Sequence, residues 1–437
     1  MGSRGELRRV FQAALEPVHG GRVVARALEE GPLPRRAPVR ILAAGKAACV
    51  MAAAALDALP DRVSDCLVVT KEGHAVRLAG ARVLSAAHPV PDTRSSLAGR
   101  EALAFAEAAS PQEILLVLLS GGASSLLSLP VDGLSLEDLA QATQALLRGG
   151  AGIHALNALR RHITRVGGGG LARASRARRV EVLALSDVAD DDPATIASGP
   201  CAADPSDFAD ALQAAERFGG SALPERVRAV LQAGAAGKRS ETAKPGDASL
   251  RRVHTRIIGC NADARRAAAA AAQQNGLAVT DLGLLLAGEA RQMGARLARQ
   301  ACEATGSLDA SLRGSRGPRG QLLLAGGETT VHVRGSGLGG RCQELALAAA
   351  LALEGSSRIT LLAAGTDGSD GPTQAAGAFA DGASCSRARA LGLDAAGALE
   401  ENDSARFFEA LGGQLITGPT GTNVMDLVLI HLAPTSC

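Results

Sequence analysis

The chain has 437 residues, which at ~100–200 residues per domain allows two or three domains with ample core. Its 46 Lys and Arg against 44 Asp and Glu leave a net charge of +2, so there is no basic footprint of the kind that recruits nucleic acid. Trp and Tyr are absent and Phe numbers seven, which excludes ring platforms for single strands, aromatic cages and membrane-interface belts; the core has to be built from Ala, Leu and Val, and any nucleotide base must rest on aliphatic groups. The opening segment MGSRGELRRVFQAALEP lacks the apolar stretch of a signal peptide and carries Glu6 where a myristoylation signal needs Ser or Thr. No apolar run reaches the ~18 residues of a membrane span. Eight Cys, at 49, 66, 201, 260, 302, 342, 385 and 437, show no CxxC spacing, and this predicts reduced, mostly buried thiols in a cytoplasmic protein.

In chain order, short apolar runs recur at 40–45, 66–70, 113–120, 180–186, 254–259, 321–327 and 358–365, with a final strand inside 417–432. Ala-rich helical stretches alternate with them, among them 97–110 and 261–276, the latter opening on Asn261 as N-cap. Continuous apolar strands alternating with helices predict a doubly wound, mostly parallel, Rossmann-like α/β sheet, with a second and smaller α/β domain. The polar stretch 233–252 reads as the linker, giving domains 1–245 and 246–437, and 306–320 reads as a surface loop.

Polar groups gather at the carboxyl ends of these strands, where open α/β sheets bind ligands: Lys46, Ser120, Asp187, Glu328 and Asp367. Gly45 and Lys46 occupy a strand-to-helix turn whose free backbone N–H groups would attract an anion. Lys occurs at only four positions, 46, 71, 238 and 244, so a Lys kept at a strand end among so many Arg reads as a compact point charge, although a solvated surface role is the plainer alternative. The run from Ser120 through Gly121, Gly122, Ser124 and Ser125 suits close backbone approach and hydroxyl donation to phosphate or carboxylate, or else an ordinary capped turn. Asp187, Asp190, Asp191 and Asp192 follow another strand end, an arrangement for Mg²⁺ or a solvated acidic turn. Gly335, Gly337 and Gly340 satisfy GxGxxG, with Asp367 as a possible ribose-binding acid. The alternating TTVHV strand before them and Arg341 directly after favour an anion-binding loop instead. Asp367 and Asp370 lie among glycines, and Asn423 in a Gly/Thr-rich turn, each against an apolar strand. His88, His154 and His162 lack metal-ligand spacing, and no GxSxG elbow occurs.

Together GKAA (45–48), HPVPD (88–92), SGGASSLL (120–127), LNALRR with GGGGLA (156–161, 167–172), SDVADDDPATIASGP (186–200), GGETTV (326–331), GGRCQELALA (339–348), GTDGSDGPTQAAGA (365–378) and TGPTGTNVMDL (417–427) resemble the class II glycerate 2-kinase family, the MOFRL-type kinases. The resemblance covers about residue 6 to about 432. It implies ATP- and Mg²⁺-dependent phosphorylation of the C2 hydroxyl of D-glycerate, in two domains with an interdomain cleft that Lys46 and Arg341 face. The roles that follow are Lys46, Arg341, Asp367 and Asp370 in catalysis. Gly45, Ser120, Gly121, Gly122, Ser124, Asn157, Arg160, Glu328, Gly339, Gly340 and Asn423 would bind substrate or nucleotide, and Asp187 and Asp191 the metal.

Four positions depart from the family pattern: Asp190 for Gly, Cys342 for Asn, Gly167 for Lys and Cys201 for Thr. Asp190 and Cys342 lie nearest the expected chemistry and bear on nucleotide affinity or substrate preference more than on fold. Family members also carry the name hydroxypyruvate reductase, and NAD(P)H-dependent reduction is the competing enzymatic reading. A catalytically weak nucleotide- or sugar-acid-binding protein is the third.

Overall fold

The computed structural model describes residues 2–31, 33–34, 36–311 and 319–434, without the side chains of 306–311. It divides into two compact units, residues 20–258 and residues 1–19 with 259–437. The expected boundary at 245/246 therefore moves to 258/259, and the first helix, Ser3–Leu15, belongs to the later unit. The reason is local: the supposed linker straps back onto its own unit. Ala243 is buried and its N–H donates to Gly168, while Arg173 grips Asp247 at 2.6 Å.

In the unit 20–258, strands β1 (Val39–Ala44), β2 (Val63–Lys71), β3 (Arg82–Ala86), β4 (Ile114–Leu119), β5 (Arg179–Leu185) and β6 (Val253–Gly259) form a sheet in the order β3-β2-β1-β4-β5-β6. The pairs linking β1 through β5 are all parallel. β4 is buried at every position, as its unbroken apolar run requires under helices on both faces. The chain order reverses between β1 and β4, so the carboxyl ends of these two strands open a crevice.

The other unit carries β7 (Ala278–Asp281), β8 (Gln321–Gly327), β9 (Ile359–Gly365), β10 (Gly377–Asp381), β11 (Gln414–Leu415) and β12 (Asp426–Leu432), ordered β11-β10-β9-β12-β8-β7. This sheet is mixed: β12 runs antiparallel between β8 and β9. The start of β12 thus lies beside the ends of its neighbours, with Asp426 opposite both Gly327 and Gly365. The helix Arg341–Ala352 is buried from Cys342 through Ala350, a core helix apolar around most of its circumference.

Other expectations are adjusted. The loop expected at 306–320 is helical through Ser311, in the helix Ala290–Ser311, and 312–318 lies outside the described residues. TTVHV forms no strand, only a bridge at Thr330. The helix Asn261–Gln274 is capped at Cys260, whose N–H donates to Asp263 at 3.0 Å. All seven described Cys are free thiols, five of them buried.

Candidate functional site

In the unit 20–258 the site begins with Gly45, which turns the chain after β1 at φ +125°. A Cβ there would lie 2.2 Å from Ser120 Oγ and 2.3 Å from the Ser120 carbonyl oxygen, so only glycine lets the ends of β1 and β4 touch. Ala47 N–H donates to Ser120 Oγ at 3.0 Å and Lys46 N–H to the Gly121 carbonyl at 3.0 Å. The backbone N–H groups of Gly45 through Ala48 are all spent inside the protein, so the anion cradle expected at this turn is not there. It lies one strand over. The N–H groups of Gly121, Gly122 and Ala123 meet no acceptor among the described residues. Lys46 borders them: a Cβ on Gly122 would come within 3.6 Å of its Cγ.

Ser124, next along, has its Oγ 2.9 Å from Ser198 Oγ, and Ser198 Oγ donates to Asn157 Oδ1 at 3.2 Å. Ser198 owes its position to a left-handed run, Ala197 at φ 54°, Ser198 at 59° and Gly199 at 65°, strain of roughly 1–3 kcal/mol for each residue that is not glycine. Asn157 is buried and its Nδ2 has no partner among the described residues. Arg160, one helical turn on, is largely buried without an acidic partner among the described residues, and burial lowers its pKa.

The acidic turn after β5 is no metal cage. Asp192 accepts from Ala194 N–H at 3.0 Å and Thr195 Oγ1 at 3.1 Å, and Asp190 accepts the Asp192 N–H at 3.3 Å, so both serve the turn. Among the described residues no three His, Cys, Asp or Glu converge on one point. Asp187 and Asp191 remain half-buried hard-oxygen donors, a set that fits Mg²⁺ when substrate phosphates and waters supply the other ligands.

In the other unit the centre is a residue that sequence reasoning missed. Asp426, buried at the start of β12, takes both Arg341 Nε at 2.6 Å and Nη2 at 2.8 Å. Glu328, at the end of β8, meets Arg341 Nη1 at 3.1 Å. Burial opposes the guanidinium charge, yet these two carboxylates hold it protonated well above its ordinary value. Arg341 is therefore not an open anion grip: its inner face is committed to Asp426, and its Nη1 is held by half-exposed Glu328. Asp367, from the end of β9, joins the group; a Cβ on Gly365 would meet Asp367 Oδ1 at 3.2 Å and Asp426 Oδ1 at 3.4 Å. Asn423 is buried in the loop leading to Asp426. The NVMD run offered a signal, a carboxylate directly before an apolar strand, but that strand's antiparallel direction was not legible.

Asp370 is placed differently from expectation. It is fully buried and caps the helix Arg341–Ala352, accepting Cys342 N–H at 3.0 Å and Gln343 N–H at 2.8 Å. Burial pushes its pKa up to about 6 against the pull of those bonds. The protein's own carboxylate thus fills the helix N-terminus where a bound anion was expected. Burial also pushes the Cys342 thiol well up, so this departure contributes its backbone N–H and not a nucleophile.

The glycine loop does not open for a dinucleotide either. Cβ atoms at Gly335 and Gly337 would meet Glu401 and Asp403 at 2.4–2.5 Å, one at Gly339 would meet Ser404 at 2.3 Å, and one at Gly340 would meet Asp370 at 2.4 Å. Asn402 Oδ1 accepts Arg334 N–H at 2.6 Å, while its Nδ2 donates to buried Glu344 at 2.7 Å, itself paired with Arg291 at 3.1 Å. These glycines make room for the protein's own chain.

Each unit is thus an α/β fold that gathers polar groups where its central strands end or begin, the place where open sheets bind ligands. A family model described as "Domain of unknown function (DUF4147)" matches residues 6–232, and one described as "MOFRL family" matches 321–426. The chain is 40% identical to a "Putative hydroxypyruvate reductase" of Agrobacterium vitis over 97% of this chain and 93% of that one. It is 38% identical to a "D-glycerate 2-kinase" of Thermotoga maritima over 96% of each. The crystal structure of a glycerate kinase from Thermotoga maritima superposes with a TM-score of 0.81 at 37% identity, covering 98% of this chain and 99% of that one. The chain belongs to the MOFRL-type, class II glycerate 2-kinase family.

Proposed function

We propose that this chain is a cytoplasmic D-glycerate 2-kinase that moves the γ-phosphoryl group of ATP, with Mg²⁺, onto the C2 hydroxyl of D-glycerate. The observation that carries the reading is the near full-length likeness to a chain named D-glycerate 2-kinase. The geometry supplies roles, since phosphoryl transfer asks chiefly for positioning and charge neutralisation. Unsatisfied N–H groups of Gly121, Gly122 and Ala123 cradle phosphate oxygens, and Lys46 beside them neutralises charge that builds on the transferring group. Asp187 and Asp191 would hold Mg²⁺, which would supply charge neutralisation to the donor's phosphates. The acceptor's carboxylate displaces Glu328 from Arg341, which Asp426 keeps aimed, and Asp367 takes the proton of the attacking hydroxyl.

The reductase name carried by the Agrobacterium vitis relative has no counterpart in the glycine loop, whose Cβ positions are filled by the 401–404 segment. Incubation with D-glycerate, ATP and Mg²⁺, followed by NMR assignment of the phosphorylated carbon, tests the proposal. The expected product is 2-phosphoglycerate. Oxidation of NADH by hydroxypyruvate without any ATP-dependent product overturns it.

A further inference from the structure

Between the HPVPD loop, the serine run and the helices Leu136–Arg148 and Ile153–Ile163, the unit 20–258 encloses a cavity of about 410 Å³. That volume falls within the ~300–1,000 Å³ of small-molecule pockets. Its walls are aliphatic, with Leu139 and Ile163 buried inside and Val90 and Leu147 at the mouth, 64% and 54% exposed. Large apolar side chains left exposed around a concave site mark a surface that expects an apolar face. Four residues with polar side chains line the same space without a side-chain partner among the described residues: Ser125, Thr143, Gln144 and Arg160. A largely buried cation with no carboxylate calls for an anion. Ser124 and Ser125 belong both to this cavity and to the segment that begins at Ser120, so the cavity wall continues directly in the chain from the unsatisfied N–H groups of Gly121, Gly122 and Ala123.

D-glycerate is small and polar throughout and leaves such walls unsatisfied. A purine nucleotide matches them: an apolar, flat base with a few edge hydrogen bonds at one end and phosphates at the other. We infer that this cavity seats the nucleoside of the phosphoryl donor, the base between the aliphatic walls with Thr143 at its edge, and the phosphates passing Arg160 and Ser125 toward Lys46. The inference rests on the kinase reading only for the identity of the donor. In a protein without Trp or Tyr, aliphatic side chains supply the stacking surface.

The full chain photolabelled with 8-azido-ATP and digested should carry the label on peptides spanning 89–91, 139–147 or 160–164, and excess ATP but not D-glycerate should protect it. Label confined to other segments overturns the inference. Ala140→Phe fills the cavity and should raise the KM for ATP at least tenfold while the KM for D-glycerate changes less than threefold; the reverse split overturns the inference by making this the acceptor's site. Leu147→Glu, at the exposed mouth, gives the same readout if Ala140→Phe does not fold. Mapped label without kinase turnover sinks the kinase reading and supports the cavity, whereas turnover with label elsewhere sinks the cavity alone.

Discussion

At the scale of residues, charge is placed by backbone and not by sequence proximity. Lys46 sits in a turn whose own N–H groups are all consumed, so under the proposed role only its ammonium is left to act on an anion. Lys46→Met should therefore lower kcat by about 10²–10³-fold, the usual cost of one electrostatic stabiliser, while cooperative melting stays unchanged. Near-normal turnover refutes the role. Asp426 is a different case, since removing one partner of a buried pair costs roughly 3–5 kcal/mol. Asp426→Asn should destabilise toward the lower end of that range, because Arg341 keeps some solvent, and chemical denaturation measures it directly. Asp370 has its folded pKa raised from 3.8 to about 6, so between those values the folded protein binds more protons than the unfolded chain. Its contribution to stability is fully present below pH 3.8 and is lost as pH rises through about 6, worth about 3 kcal/mol at ~1.36 kcal/mol per unit. The stability difference between wild type and Asp370→Asn, followed from pH 4 to 7, should show that loss in the wild type alone. A constant difference would mean that Asp370 titrates normally.

At the scale of elements, the scarcity of rings forces backbones together. The helix Ala290–Ser311 packs so closely on the helix Arg341–Ala352 that a Cβ on Gly294 would lie 2.1 Å from the Leu345 carbonyl oxygen. Gly294→Ala should gain up to ~1 kcal/mol of helix propensity. Overpacking against an immovable carbonyl costs ~1–3 kcal/mol. A net loss of about 1–2 kcal/mol in urea melts is expected, and stabilisation would show that the helices part freely. Apolar runs announced β1, β2, β4, β5, β8, β9 and β12 because each carries a buried run of at least four residues, and β6, a half-exposed edge strand, by the apolar pair Ile257–Ile258. Strands β3, β7, β10 and β11 were illegible because they are short or lie near sheet edges, where polar residues are tolerated. Lys46, Ser120, Asp187, Glu328 and Asp367 could be placed at strand ends for the same reason as the strands. What the sequence did not disclose is long-range: β12 enters antiparallel and brings Asp426 onto Arg341, and Asp370 reaches back to cap a helix that begins 29 residues earlier. Asn261 was read as an N-cap because of its type, yet its buried amide instead donates to the Val424 carbonyl at 2.8 Å and the Asp426 carbonyl at 3.1 Å, holding the start of β12.

At the scale of the whole molecule, the chain is not two domains in series. The family model spanning 6–232 crosses the division at residue 19, because the helix Ser3–Leu15 packs on the helix Asn261–Gln274 and on β12. Leu7, Val10, Phe11 and Ala14 are completely buried there, and the Val18 carbonyl accepts the Thr422 hydroxyl at 2.6 Å, one residue before Asn423. Burying three large apolar side chains at ~1.5–3 kcal/mol each approaches the whole ~5–15 kcal/mol stability of a typical domain. The first 19 residues therefore act as a part of the later unit that happens to be synthesised first. Deleting residues 1–19 should leave the unit 20–258 resistant to protease while cuts accumulate within 259–437, mapped by mass spectrometry of the fragments. The unit 20–258 keeps all of β1 through β5, so the deleted protein should still take the 8-azido-ATP label in its cavity while losing turnover. Equal protease resistance of both units in the deleted protein would show that the N-terminal helix is an accessory and not a structural member.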